Sequence, residues 1–387
     1  MRKIAVYIGS RANYSSIKAV MVEIDRHPKL QLQVIAGASA LLERFGSVVK
    51  LVEKDGFHVD WISHNIVEGE TPITMAKSTG LGLIEMAMIL DNLKPDFALV
   101  VGDRFEMMGF ALAASYCNIP IAHTMGGEVS GSVDESIRHA ITKFAHLHFP
   151  ANEDARERII KMGEDPKCVF NVGCPRINLV REVLETEDSY KQIAALIPSY
   201  GGVGGEFEVV KEPFLLVSQH SVTTEFGLNE RHINETLTAL QKLQMKTIML
   251  WPNIDAGSDE ISKAIRIFRE RHRPGWLHLF KNLPINKYIH LMNTTACLVG
   301  NSSSGIREGA FIGTPVVNIG SRQNRRLCGK NVVHCGYDAT EILSSIESQL
   351  EHGKYPRENL YGDGSAGQKV AEILSTIEVN IQKRIRY

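Results

Sequence analysis

Three carboxylates stand where apolar runs give way to polar turns. Asp103 follows Leu99-Val100-Val101-Gly102, Glu128 closes His123-Thr124-Met125-Gly126-Gly127-Glu128, and Asp134 opens the next helical pattern. General acid–base chemistry needs such groups gathered together, with neighbours that push their proton affinities apart. Asp103 reads equally as the N-cap of the helix after it, and the two roles are compatible. Arg138 lies four residues beyond Asp134, the spacing of an ordinary helix-surface ion pair. The loop that carries Glu128 reads as polar and pliant, too much so for a core.

A second group of residues suits an anion. Gly300-Asn301-Ser302-Ser303-Ser304-Gly305 lies between the apolar run Ala296–Val299 and a short helical pattern, Ile306–Ile312. A small-residue turn opening a helix points unpaired N–H groups at a ligand from the positive end of the helix dipole, which suits phosphate. A plain N-cap explains one serine, not three in a row. Glu308, one turn into that helix, is placed for ribose hydroxyls. Arg11 and Ser15 belong to a loop, Gly9–Ser15, after the first apolar run; Arg11 reads either as a diphosphate ligand or as a solvated surface arginine. His220 follows the run Phe214–Ser218 and reads as a phosphate ligand, a proton acceptor or a solvent-facing loop histidine. Trp251–Ser258, with Asn253, is a further strand-to-helix loop. Phe280-Lys281-Asn282-Leu283 is another, at an edge where a base could stack.

These loops imply a frame. Strands fit near 3–8, 31–36, 57–62, 96–101, 119–123, 146–149 and 168–172. Helices fit near 16–27, 40–55, 71–92, 105–117, 134–144, 152–162 and 176–186. That alternation predicts an α/β fold with a doubly wound parallel sheet, whose ligands bind at the carboxyl ends of the strands. A second series follows, with strands near 213–218, 245–251, 276–280, 295–299, 315–319 and 331–334, and the chain ends in a helical pattern over 368–383. The expected division is 1–186, an N-terminal Rossmann-like domain with the acid–base residues; 187–212, a linker; 213–365, a C-terminal Rossmann-like domain; and 366–387, a helix returning to the N-terminal domain. Gly201-Gly202-Val203-Gly204-Gly205 precedes a strand instead of leading from one into a helix. It therefore fails as a dinucleotide fingerprint and reads as an exposed interdomain loop.

Composition narrows the function. The chain has 387 residues, 44% of them hydrophobic, enough for two cores, and a net charge of −1 that argues against nucleic acid and membrane surfaces as partners. Cysteines 117, 168, 174, 297, 328 and 335 show no C-x-x-C spacing and suit a reducing, cytoplasmic setting. The apolar run after Met1-Arg2-Lys3 is too short for a signal peptide, and no span of 18 uninterrupted apolar residues occurs. His146 and His148 flank one strand and can share a face. No His/Asp/Glu constellation has metal-ligand spacing, so neither metal nor cofactor is expected.

With these residues assembled, the chain resembles the hydrolysing UDP-N-acetylglucosamine 2-epimerases. The matching stretches are Gly9–Ala12, Val101–Arg104, Gly126–Val129, Asp134–Thr142 (DESIRHAIT), Gly173-Cys174-Pro175, Pro252–Ser258 (PNIDAGS), Gly300–Ser303 with Gly305, Arg307-Glu308 and Gly313-Thr314-Pro315. The resemblance implies a GT-B fold, two Rossmann-like domains with the active site in the cleft between them. It implies elimination of UDP from C1 with loss of the C2 proton, then hydration with reprotonation on the opposite face. The partners it implies are a UDP-sugar substrate and the UDP product, acted on by a homo-oligomer. Carried over by position, Asp103, Glu128, Asp134, Arg138 and His220 become the catalytic set. Arg11, Ser15, Arg104, Gly173, His220, Asn253, Phe280, Lys281, Ser302, Ser303, Gly305, Glu308 and Arg322 become the UDP-sugar ligands. One departure stands out: Met125 occupies a place where many relatives have Glu. A thioether exchanges no protons, and it suits a C6 methyl or a 4-acetamido group. That keeps open UDP-2,4-diacetamido-2,4,6-trideoxyglucose as the substrate. A GT-B glycosyltransferase and a non-catalytic UDP-sugar sensor are the readings from other classes.

Overall fold

The computed structural model describes every residue except Glu70, Asn253, Ile254, Asn282 and Tyr387. The chain forms two compact units. One comprises Met1–Val129, Val133–Leu179 and Tyr361–Tyr387; the other comprises Ser130–Ser132 and Val180–Leu360.

The first unit is built on β1 (Arg2–Ile8), β2 (Leu30–Gly37), β3 (Trp61–Ser63), β4 (Phe97–Val101), β5 (Ile121–Thr124) and β6 (Leu147–Phe149). All pair in parallel, in the order β3-β2-β1-β4-β5-β6. This is the doubly wound order whose reversal beside β1 opens a ligand crevice at the strands' carboxyl ends. Strands β4 and β5 are buried along their whole length; β4 reads as an unbroken apolar run, whereas β5 ends in the buried polar residues His123 and Thr124. Ala5, Tyr7, Val100 and Ile121 meet Met107, Phe110 and Ile141 from the covering helices. Those helices are α1 (Arg11–Arg26), α2 (Val48–Lys54), α3 (Pro72–Leu93), α4 (Phe105–Tyr116), α5 (Asp134–Phe144) and α6 (Glu153–Lys161); α7 (Pro175–Thr186) then carries the chain onward. Helix α3 is long and apolar enough to cross a membrane by length and composition alone. It lies against α4, and Gly109 permits the close approach, since a Cβ there would stand 2.9 Å from Leu83 N and Thr79 O.

The second unit holds α8 (Ser189–Ile193), α9 (Leu196–Tyr200) and strands β7 (Val203–Gly204), β8 (Leu215–Ser218), β9 (Thr247–Leu250), β10 (Leu277–Phe280), β11 (Cys297–Gly300), β12 (Val316–Ile319) and β13 (Val332–Cys335). Their order is β13-β12-β11-β8-β9-β10-β7. Helices α10 (Asn229–Leu243), α11 (Ser258–His272), α12 (Ile285–Thr294), α13 (Ser303–Ile312) and α14 (Ala339–His352) cover the sheet. Leu215, Val217, Met249, Val299 and Val317 form its core with Leu237, Ile265 and Ile342.

Several expectations change. Residues 201–205 are no free loop. Strand β7 pairs antiparallel with β10, and a Cβ on Gly204 or Gly205 would lie 2.2 Å from Leu277 O or 2.0 Å from Gly275 O. Gly202, Gly204 and Gly205 allow close approach to the backbone of residues 275–279, and the His278 ring lies between the carbonyls of Gly205 (from Nδ1) and Gly201 (from Nε2), 2.9 Å from each. The strand expected at 168–172 reduces to a single bridge, His148 to Val169. The helix expected over 40–55 is two short 3₁₀ turns and α2.

The terminal helix, α15 (Ala366–Thr376), stops well short of residue 383. The tail beyond it lies along the first unit. Lys383 Nζ donates to Lys143 O at 2.9 Å and pairs with Glu164 Oε2 at 2.7 Å, while Arg386 N donates to Gly163 O at 3.0 Å. Glu164 also takes Lys143 Nζ at 2.6 Å and His148 Nε2 at 3.1 Å. Burial opposes its ionisation, yet these hydrogen bonds prevail and hold its carboxyl at about 2. His146 Nε2 meets Ile381 O at 3.0 Å, so His146 touches the tail directly, while His148 is joined to it through Glu164.

Candidate active site

In the first unit, Gly102 takes a left-handed turn (φ +69) directly after β4. The N-cap of α4 is Arg104, one residue beyond Asp103, which frees Asp103 from the capping role. Asp103 Oδ2 instead accepts Nε of Arg138 at 2.7 Å and also its Nη2. Arg138 Nη1 donates to the Glu128 carbonyl at 2.7 Å. The Arg138 side chain is 1% exposed and that of Asp103 is 22%. The arginine is thus a buried tie from α5 to the ends of β4 and β5, and Asp103 is the member of the pair that reaches solvent. Asp134 is the first residue of α5 and is half-buried.

The loop carrying Glu128 is buried from Ile121 to Glu128, contrary to the expectation of a pliant segment. A Cβ on Gly127 would lie 2.4 Å from Ala155 O, so this glycine allows tight packing. Met125 holds the left-handed conformation (φ +59), 4% exposed, with its Sδ 3.7 Å from Cys174 Sγ. His123, in β5, is fully buried beside the end of β4. Its Nε2 lies 2.8 Å from Gly102 O, so the ring donates there, and burial pushes its pKa down to about 3, leaving it neutral.

Arg11 is not in a loop, because α1 begins at it behind the N-cap Ser10. Burial lowers its guanidinium to about 10, still cationic at neutral pH. A half-buried cation at the positive end of a helix is poorly placed for stability and well placed for an anion. Ser15 Oγ donates back to Ala12 O at 3.1 Å. Arg104 is drawn to Glu106 Oε1, 2.8 Å from its Nε. Gly173 has a packing role: a Cβ there would stand 2.9 Å from the Cα of Gly362, where the chain returns to this unit.

In the second unit, Asn301 organises the phosphate candidates. Its Oδ1 accepts the His220 N–H at 2.8 Å and its Nδ2 donates to His220 O at 2.9 Å, which locks the loop after β8 to the loop after β11. Its carbonyl accepts Gln323 Nε2 at 2.8 Å and Arg322 Nη1 at 3.4 Å. Arg322 Nη2 is 3.6 Å from Asp255 Oδ2. Ser302 caps α13, accepting the Ser304 N–H, while Ser304 Oγ is taken by Tyr288 OH at 2.5 Å. Ser302 and Ser303 are half-buried at the mouth of the helix, and Glu308 is 3% exposed one turn beyond. Gly305 is a packing glycine, with Val316 Cγ1 3.0 Å from its would-be Cβ. Phe280 is a core residue, 1% exposed against His278, and not a surface for stacking a base. Lys281 is exposed, and Asn253 lies outside the described residues. Among the described residues no group of three or more His, Cys, Asp or Glu could hold a metal.

The family described as UDP-N-acetylglucosamine 2-epimerase matches residues 22–375. The chain belongs to that family. A UDP-N,N'-diacetylbacillosamine 2-epimerase (hydrolyzing) of Legionella pneumophila is 31% identical over 99% of this chain and 98% of its own length. A UDP-N-acetylglucosamine 2-epimerase of Neisseria meningitidis is 27% identical over 99% and 98%. Among solved structures, the Neisseria meningitidis UDP-GlcNAc 2-epimerase bound to UDP-GlcNAc superposes with a TM-score of 0.80 at 20% identity, covering 97% of this chain and 99% of that one. The Methanocaldococcus jannaschii UDP-GlcNAc 2-epimerase in complex with UDP-GlcNAc and UDP gives 0.80 at 18% identity, covering 96% and 99%. The fold is therefore that of the GT-B enzymes, two Rossmann-like units on parallel sheets.

Proposed function

We propose that this member of the family is a hydrolysing UDP-N-acetylglucosamine 2-epimerase. The observation that carries the proposal is the meeting of Asp103, Arg138 and the Glu128 loop at the ends of β4, β5 and α5. The C2 proton is not alpha to a carbonyl, so its loss must be coupled to departure of UDP from C1. The C2–H electron pair forms the C1–C2 double bond, and the C1–O pair leaves with UDP. Water then adds its hydroxyl at C1 and a proton returns to C2 on the other face, giving N-acetylmannosamine. Asp103, Glu128 and Asp134 supply the acid–base groups, and Arg138 fixes Asp103 toward the sugar. Arg11, His220, Ser302 and Ser303 hold the diphosphate, and Glu308 holds the ribose. In this reading the enzyme is cytoplasmic, works as a homo-oligomer and serves sialic-acid-type sugar synthesis.

The sulfur pair Met125–Cys174 favours a second substrate. Met125 lies beside Gly102, with its Cε 3.6 Å from where a Cβ on Gly102 would stand. That apolar wall suits the methyl or 4-acetamido group of UDP-2,4-diacetamido-2,4,6-trideoxyglucose better than a hydroxyl. Incubation with each nucleotide sugar in D₂O, read by NMR, tests both readings. The expected product is the released manno-configured sugar with deuterium at C2. A sugar still fully protonated at C2 rules out the elimination route, and the faster substrate decides between the two sugars.

A further inference from the structure

We propose that Lys383, on the tail beyond α15, is a positioning residue for the acid–base site. Its ammonium group fixes the C-terminal end of α5, the helix that carries Asp134 and Arg138. This role for Lys383 rests on the acid–base function proposed above.

A helix leaves its last carbonyls without intrahelical partners, at the negative end of its dipole. In α5 the backbone closes on Ile141 O, which accepts the N–H of the C-cap Ala145 at 2.9 Å. Beyond that bond, Lys383 Nζ donates to Thr142 O at 3.4 Å and to Lys143 O at 2.9 Å, and it also reaches the carbonyl of Ala145. One ammonium group thus gathers three carbonyls at the end of a helix that lies 238 to 241 positions earlier in the chain. The cation in the last turn of α5 itself, Lys143, is turned away: its Nζ donates to Met162 O at 3.0 Å and to Glu164 Oε1 at 2.6 Å.

The described tail after Thr376 contains neither helix nor strand, yet it is pinned on both sides of Lys383. His146 Nε2 meets Ile381 O at 3.0 Å, and Arg386 holds Gly163 O through its N–H at 3.0 Å and Asp165 Oδ2 through Nη2 at 2.5 Å. Gly163 is left-handed (φ +90), and a Cβ on it would stand 2.7 Å from Ile385 Cγ1. Glu164 Oε2, 2.7 Å from Nζ, balances the charge.

Helix α5 has 11 residues, about 16 Å of one continuous rod. Thr142 Oγ1 donates to Arg138 O at 3.0 Å, so the turn that Lys383 holds is also tied to Arg138. Arg138 in turn sets its Nε 2.7 Å from Asp103 Oδ2 and its Nη1 2.7 Å from Glu128 O. An axial shift of α5 moves both bonds and Asp134 together. A misplacement of about 1 Å caused far from the reacting atoms can cost roughly 10² in rate.

Steady-state turnover of UDP-N-acetylglucosamine by the full-length protein, well below the melting point of every variant, tests the role. Lys383→Met should lower kcat roughly tenfold, while KM, and UDP affinity by calorimetry, stay within about twofold. Lys383→Arg keeps a charged donor and should recover most of that loss. Glu164→Gln removes the charge partner of the ammonium group but none of its carbonyls, so it should lower the melting point and leave kcat within about twofold. Lys383→Gln gives the same split of kcat from KM if the methionine variant folds poorly. A kcat unchanged in Lys383→Met, or lowered equally in Glu164→Gln, overturns the proposal and leaves the tail a stabilising strap. The Nε–H resonance of Arg138, identified by its loss in Arg138→Lys, gives a reading without substrate. In Lys383→Met it should shift and exchange faster with solvent, and in Glu164→Gln it should stay in place. A resonance that Lys383→Met leaves unmoved overturns the proposal. A wild-type protein that turns over neither nucleotide sugar overturns the function alone, since the resonance still reports whether Lys383 seats α5.

Discussion

Asp103 shows how much one residue's register decides. Had it capped α4, its carboxylate would have been spent on backbone N–H groups; with Arg104 as the cap, it faces a buried guanidinium. Asp103→Asn keeps the size and removes the carboxylate that Arg138 Nε meets at 2.7 Å. Turnover should fall by at least ~10², while UDP affinity by calorimetry moves less than about threefold. An Asn variant within tenfold of wild type would take Asp103 out of the chemistry. In the second unit, Ser303→Asp sets a negative charge at the mouth of α13, and UDP affinity should fall well over tenfold, since about 1.4 kcal/mol already gives that factor. Glu308→Gln should weaken UDP more than inorganic pyrophosphate, because only UDP carries a ribose for it to hold. Equal weakening of both ligands would mean that Glu308 acts through the helix instead.

Among the elements, the edge strand β7 gives the sharpest test of packing. Gly204→Ala forces a Cβ onto Leu277 O, and nothing in the β7–β10 pair can yield without breaking it. The transition of the second unit should drop by roughly 4–8 °C in calorimetry, the range for a loss of about 2 kcal/mol in a unit of this size. An unchanged melting profile would show that the edge strand contributes nothing. This strand also marks what the sequence made legible. Apolar runs announced β1, β4, β8 and β11, because residues buried on both faces leave few polar interruptions. The turn into α13 and the position of Asp103 were legible for a related reason: they stand where such runs end. The glycines of residues 201–205 looked like a loop because composition does not distinguish a glycine needed for freedom from one needed for closeness. Phe280 looked available to a base because its strand ends there, yet its ring turns inward. Asn301 and Asp255 lay in stretches already noted, but their ties to His220 and Arg322 join residues far apart in sequence, and no local pattern records such a join.

For the whole molecule, acid stability follows from three groups in the first unit. Glu164, at about 2 in the fold, contributes stability that is present above the ordinary carboxylate range and is lost as pH falls from about 4.5 toward 2. His123, at about 3, and His148, also lowered by burial, stay neutral in the fold, so acid protonates them preferentially in the unfolded chain. Their contribution is complete above about 6.5, the ordinary histidine value, and declines below it. Stability measured by urea should therefore fall from pH 6.5 downward, and Glu164→Gln should flatten the lower part of that slope, below about pH 4.5. A slope identical to wild type would mean that the Lys383 and Lys143 contacts do not matter to the folded state.

The order of the chain through its two units bears on how the protein is made. The first unit is interrupted at residue 179 and completed only from Tyr361, whose carbonyl accepts the Cys174 N–H at 2.7 Å, and the tail then settles on Glu164. A ribosome adding about 5–20 residues per second delivers that closing segment roughly 10–40 s after the unit's main body. Until then β6 and the buried Glu164 wait without Lys383, while the second unit, nearly continuous in sequence, can form. The part made first is the part finished last, and a nascent chain stalled before residue 361 should carry a protease-resistant second unit beside a sensitive first one.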